Sequence, residues 1–79
     1  MKKIKSDLEL RKQIGFRIAE LRDQLNLTQK ELSILSGINK RSIEKIEQGY
    51  FNLTLDTLSA LSSILDFKIL LSKPNNDSN

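Results

Sequence analysis

One run of side chains carries chemistry that a packed core does not need: Asn39, Lys40, Arg41, Ser42, Glu44 and Lys45. It sets an amide, a hydroxyl and a cluster of cations within two helical turns. Such groups donate to phosphate oxygens and to guanine O6 and N7, and amides can read adenine edges. Little else in the chain offers a catalytic alternative. There is no His, which removes the commonest general base and metal ligand. There is no Cys, hence no disulfide framework and no Cys-based metal site. With no paired carboxylates and no phosphate loop either, the expectation is a protein that is not an enzyme and needs no cofactor or metal.

Presenting that run requires helices, and the boundary signals for them repeat closely. Thr28-Gln29-Lys30-Glu31 reads as a capping box. Leu32, Leu35 and Ile38 follow at three-residue steps, interrupted by Gly37, and Asn39 is a good second N-cap. Ile43 and Ile46 give the second helix its apolar face, and Gly49 suits its left-handed close. The spacing of Leu32, Leu35, Ile38, Ile43 and Ile46 packs the two helices on each other and on a first helix, leaving the Asn39–Lys45 run exposed. That first helix carries Ile14, Ile18, Leu21 and Leu25, and the pair Ser6 and Glu9 allows it to begin as early as Asp7. Gly15 lies inside it and weakens its helical propensity. Thr54 caps a last helix with Leu55, Leu58, Leu61, Ile64 and Leu65. Residues 67–71 are short and apolar and suit a strand or one more helical turn, while 73–79 have no apolar residue and should be disordered.

These pieces add up to one small all-α domain of four to five helices. Among 79 residues, Leu (14) and Ile (9) dominate the apolar set and Val is absent, which favours helix over strand. The formal charge of +3 is uneven: residues 1–22 sum to +4, 23–49 to zero and 50–79 to −1. The basic part faces an anionic partner or is a solvated tail. No stretch approaches the roughly 20 apolar residues of a membrane span and no signal peptide opens the chain. A cytoplasmic protein with no membrane partner is expected, and no small-molecule ligand is evident.

The ordered set Ile14-Gly15-Phe16-Arg17-Ile18, Leu21-Arg22, Leu27-Thr28-Gln29-Lys30-Glu31-Leu32, Ser36-Gly37-Ile38, Ser42-Ile43 and Ile46-Glu47-Gln48-Gly49 resembles the Cro/cI-type (Xre) helix-turn-helix family. The resemblance covers about residues 12–66. It implies a lambda-repressor-like, five-helix domain whose third helix enters the major groove of double-stranded DNA, usually as a homodimer on a two-fold operator. It implies further that Asn39, Lys40, Arg41, Ser42 and Lys45 read bases, and that Gln29, Lys30, Tyr50 and Asn52 contact phosphates. Arg22 and Glu47 match a buried ion pair of the family. Ser33 stands where the family usually has Ala, and Leu53 where it often has Pro.

The end of the chain, from Leu55-Asp56-Thr57-Leu58 to Lys68-Ile69-Leu70-Leu71, is similar to antitoxins of the Hip type. That similarity implies a C-terminal strand whose Phe67, Ile69 and Leu71 pair with a second protomer; the other reading is that they seal the monomer's core. The resulting organisation is a basic extension (1–11), the helix-turn-helix domain (12–66), a dimerisation strand (67–72) and a tail (73–79). The leading functional expectation is a dimeric repressor on a palindromic operator, including an antitoxin that represses its own operon. The alternative is a protein-interaction module: an antitoxin mainly neutralising a toxin, or a coactivator-like adaptor.

Overall fold

The structure is a computed structural model and describes residues 3–50 and 53–70, with side chains from Leu8 onward. Four helices follow one another: α1 Lys3–Gln24, α2 Gln29–Ser36, α3 Lys40–Gln48 and α4 Leu55–Leu65. Among the described residues there is neither a fifth helix nor a strand. The helix α1 starts upstream of Asp7, so Ser6 and Glu9 lie inside it rather than at its cap, and residues 3–11 of the expected extension belong to the same helix. None of the described helices is long and apolar enough to cross a membrane.

Each later helix starts where a short polar side chain satisfies a first-turn N–H. The Glu31 N–H donates to Thr28 Oγ1 at 3.0 Å and the Thr28 N–H donates to Glu31 Oε1 at 2.8 Å, closing the capping box on α2. Asn39 Oδ1 accepts from the Ser42 N–H at 3.2 Å, and Thr54 Oγ1 from the Thr57 N–H at 3.1 Å. Helix ends are left-handed residues: Gly37 at φ 77° after α2, Gly49 at φ 84° after α3 and Asp66 at φ 60° after α4. Asn26, at φ 58°, makes the same turn past the end of α1, where the Leu27 N–H reaches back to the Arg22 carbonyl at 3.2 Å.

The core is Ile18 from α1, Leu32 from α2, Ile43 and Ile46 from α3, and Leu61 and Leu65 from α4. Ile14, Leu21, Leu27, Ile38, Leu53, Leu58, Ile64 and Phe67 pack around it. Three residues of the expected stripes are not in it: Leu25, Leu35 and Leu55 are 48%, 59% and 75% exposed. Leu25 lies past the last residue of α1. Leu35 and Leu55 are separated from buried neighbours by three-residue steps, and each such step falls about 60° short of a full turn, so the stripe rotates off the buried face. Gly15, expected to weaken α1, is instead where α1 and α3 touch. A Cβ at this position would collide with the backbone carbonyl oxygen of Ile46 and lie 3.0 Å from that of Glu47. Glycine there lets two helix backbones meet without a side chain between them.

Candidate nucleic-acid interface

The α2-turn-α3 unit is held by polar contacts on both sides. Within the turn, the Ser33 hydroxyl donates to the Ile38 carbonyl at 2.6 Å, and the Ile38 N–H donates to Ser36 Oγ at 3.1 Å. Two serines therefore fix the backbone that leads into α3; the Ala usual at position 33 could not make the first of these bonds. On the other side, one carboxylate gathers three helices. Arg22 donates to Glu47 twice, from Nε to Oε2 at 2.7 Å and from Nη2 to Oε1 at 3.0 Å. Gln29 Nε2 donates to the same Oε1 at 2.9 Å, and Arg22 Nη1 donates to the Leu27 carbonyl at 2.8 Å. The side chains of Arg22 and Glu47 are 13% and 8% exposed. The hydrogen bond to Glu47 holds the Arg22 guanidinium above its ordinary value, although partial burial works the other way.

This arrangement decides which polar side chains are free. Gln29 has its amide engaged by Glu47, with one N–H of the pair still unspent. Asn39 has its oxygen committed to the cap, which leaves its amino group as a donor. Lys40, Arg41 and Lys45 are exposed on α3, whereas Ser42 is half-buried. Lys40 Nζ pairs with Glu44 Oε2 at 2.8 Å, and this hydrogen bond and charge hold the Glu44 carboxyl below the usual carboxylate range. Lys30 is exposed on α2, and Tyr50, 69% exposed, is anchored by its N–H to the Lys45 carbonyl at 2.8 Å. Asn52 and Leu71 lie outside the described residues.

Sequence reasoning passed over Gln48. It is exposed at the end of α3, seven residues after Arg41 and three after Lys45, so the three share a face. That i, i+4, i+7 spacing was the available signal. Away from this face, residues 67–70 follow Asp66 without regular structure. Phe67 packs on the core, while Ile69 and Leu70 are 50% and 80% exposed. With Leu10, Ile14 and Leu58 they line an apolar groove of about 630 Å³.

Two short helices locked across a glycine turn, with a cationic, solvent-facing second helix, define a helix-turn-helix DNA-binding domain. Residues 18–71 match the helix-turn-helix family profile, and the chain belongs to the Cro/cI-type (Xre) family of DNA-binding transcription regulators. It is similar to the uncharacterized HTH-type transcriptional regulator y4dJ of Sinorhizobium fredii, with 34% identity over 58 residues, 73% of this chain and 75% of that protein.

Proposed function

We propose that this chain is a sequence-specific transcriptional repressor that binds a palindromic operator as a homodimer, with α3 in the major groove. The observation that carries the reading is the presentation of α3. Its buried face is fixed by Ile43 and Ile46, and its end is held by the Glu47 network. Its opposite face offers Arg41, Lys45 and Gln48, with Lys40 and Asn39 at the start. In this reading Asn39, Lys40, Arg41, Ser42 and Lys45 face base edges, and Lys30, Tyr50, Asn52 and the spare N–H of Gln29 lie along the phosphates. A family relative named as a transcriptional regulator supports a role in transcription regulation. Ile69 and Leu71 supply the dimer contact, while Phe67 packs on the protomer's own core: Ile69 is half exposed in the protomer and lines an apolar groove that water would otherwise fill.

Selection of bound sequences from random duplex DNA with the full chain tests this. A palindromic consensus with half-sites about one helical turn apart is expected; an absence of enrichment, or a consensus of one unrepeated half-site, overturns it. A second reading, an antitoxin whose main work is to bind a protein, draws on the same exposed Ile69 and Leu70. It expects polar substitution of both residues to abolish capture of the protein partner while leaving half-site DNA affinity unchanged.

A further inference from the structure

Lys40 and Glu44 sit one turn apart at the exposed start of α3, their charged atoms 2.8 Å apart and their side chains 53% and 39% exposed. A pair this open adds little to stability. It also has a cost on a DNA-facing helix, because a carboxylate repels the phosphates of the duplex. What the pair supplies is a strong donor and a strong acceptor held side by side at hydrogen-bond spacing. Glu44 Oε1 accepts no hydrogen bond among the described residues, so one carboxylate oxygen stays open.

The major-groove edge of a G·C pair is the complement of that arrangement. Guanine presents two acceptors, N7 and O6, and cytosine presents its N4 amino donor next to O6. The donor and acceptor edges are separated there by about 2.9 Å, the Watson–Crick hydrogen bond itself. An A·T pair instead places its one donor, adenine N6, between two acceptors, N7 and thymine O4. A carboxylate that reaches N6 then lies between two acceptors, and the ammonium can take only one of them, N7 or O4. At G·C the ammonium reaches N7 and O6 together, and the carboxylate has an acceptor on one side only.

We propose that Lys40 and Glu44 act as one unit that reads a single G·C base pair in each half-site, Lys40 donating to guanine and Glu44 accepting from the cytosine N4 amino group. The inference rests on the DNA-reading function proposed above and adds the identity of one base pair to it. It also gives the carboxylate a second effect. Where the site offers no amino donor, Glu44 faces acceptor atoms or phosphate and only Lys40 offsets its charge, so it weakens binding to wrong DNA.

The test is selection from random duplex DNA by the wild-type chain, by Glu44→Gln and by Lys40→Met, with circular dichroism recorded on each. Both side chains are exposed and pair with each other, so both variants are expected to keep the wild-type helical signal. The wild type should enrich G·C at one column of the half-site. Each variant should lose about ten-fold of its discrimination at that column and keep its preferences elsewhere. Glu44→Gln should also bind scrambled DNA more tightly than the wild type. Variants that relax different columns, a Glu44→Gln consensus identical to the wild type, or A·T at the shared column overturn the proposal. A wild-type chain that enriches no sequence overturns the DNA-reading function and this inference together, which tells the two failures apart.

Discussion

Glu47 is the residue on which most of the helix-turn-helix geometry converges, because it takes hydrogen bonds from α1 and α2 while sitting on α3. Removing either partner of the Arg22–Glu47 pair strands a mostly buried charge. Arg22→Ala or Glu47→Ala alone should therefore cost about 3–5 kcal/mol, whereas Arg22→Met combined with Glu47→Leu should recover most of that loss. Urea denaturation of the four proteins measures the coupling; small and equal losses in all three variants would show that the pair is not a buried one in solution. The pH dependence has a definite sign. A raised Arg22 value means that its contribution is complete below its unfolded value and is lost only as pH rises through the raised one, so the penalty of Arg22→Ala should be constant through the neutral and mildly alkaline range. Glu44 behaves oppositely: its value is lowered, so its pairing with Lys40 is present above the unfolded carboxylate value and is lost as pH falls through the lowered one. The exposed cations separate by role. Arg41→Ala should cost about 1–3 kcal/mol on the operator and relax one position, because a guanidinium fork fits guanine O6 and N7. Lys30→Ala should weaken all sequences alike and lower the salt slope by about one unit per half-site. If Arg41→Ala leaves the ratio of operator to scrambled-DNA affinity unchanged, Arg41 is not a reading residue.

At the scale of the helices, Gly15 and Gly37 are required for opposite reasons, and one pair of substitutions shows it. Helix propensity alone says that Gly15→Ala, inside α1, should stabilise the protein by about 1 kcal/mol. The contact with the Ile46 carbonyl reverses the sign: the variant should lose about 1–3 kcal/mol, because backbone cannot move aside as a side chain can. Gly37→Ala meets no atom within 4 Å and should lose only the cost of φ 77° in an L-residue, about 1 kcal/mol. Thermal denaturation of both variants decides it, and a stabilised Gly15→Ala would refute the close approach of α1 and α3. The caps on Thr28, Asn39 and Thr54 and the glycines closing α2 and α3 were legible in the sequence because each depends on a residue and its near neighbours. The reading failed where the answer lay in another helix. The role of Gly15 depends on α3, and Gln29 meets Glu47 across 18 residues of sequence, so local pattern alone shows neither. Leu35 and Leu55 failed for a different reason: three-residue spacing was treated as one face, when it is a face that rotates. The Arg22–Glu47 pair, by contrast, was legible across 25 residues through the family motif, since a family pattern carries tertiary information that periodicity lacks.

One chain carries one recognition helix, so a palindromic operator demands two chains held at the right separation. In the dimer proposed above, the segment after α4 would hold them. Phe67 is spent on the protomer's own core, but Ile69 and Leu70 are left half or more exposed beside the groove lined by Leu10, Ile14 and Leu58. Apolar side chains in that state gain free energy when a second surface covers them, about 25 cal/mol for each Å² buried. A two-fold copy of the same surface is the simplest partner, since each protomer then offers the groove edge that the other needs. Replacing both residues, Ile69→Ser with Leu70→Ser, should leave the protomer folded, because neither side chain contributes to the buried core. Sedimentation should then show a dimer for the wild type and a monomer for the variant at the same concentration. On DNA the variant should keep its affinity for an isolated half-site and lose much of it for the full operator, because two linked half-sites bind with a shared anchoring cost. The recognition helices of the wild-type dimer should lie roughly 34 Å apart, one turn of B-DNA, so that inserting half a turn between half-sites weakens the wild type and leaves the variant indifferent. A variant that still sediments as a dimer, or that loses half-site and full-operator affinity equally, would place the dimer contact elsewhere on the molecule.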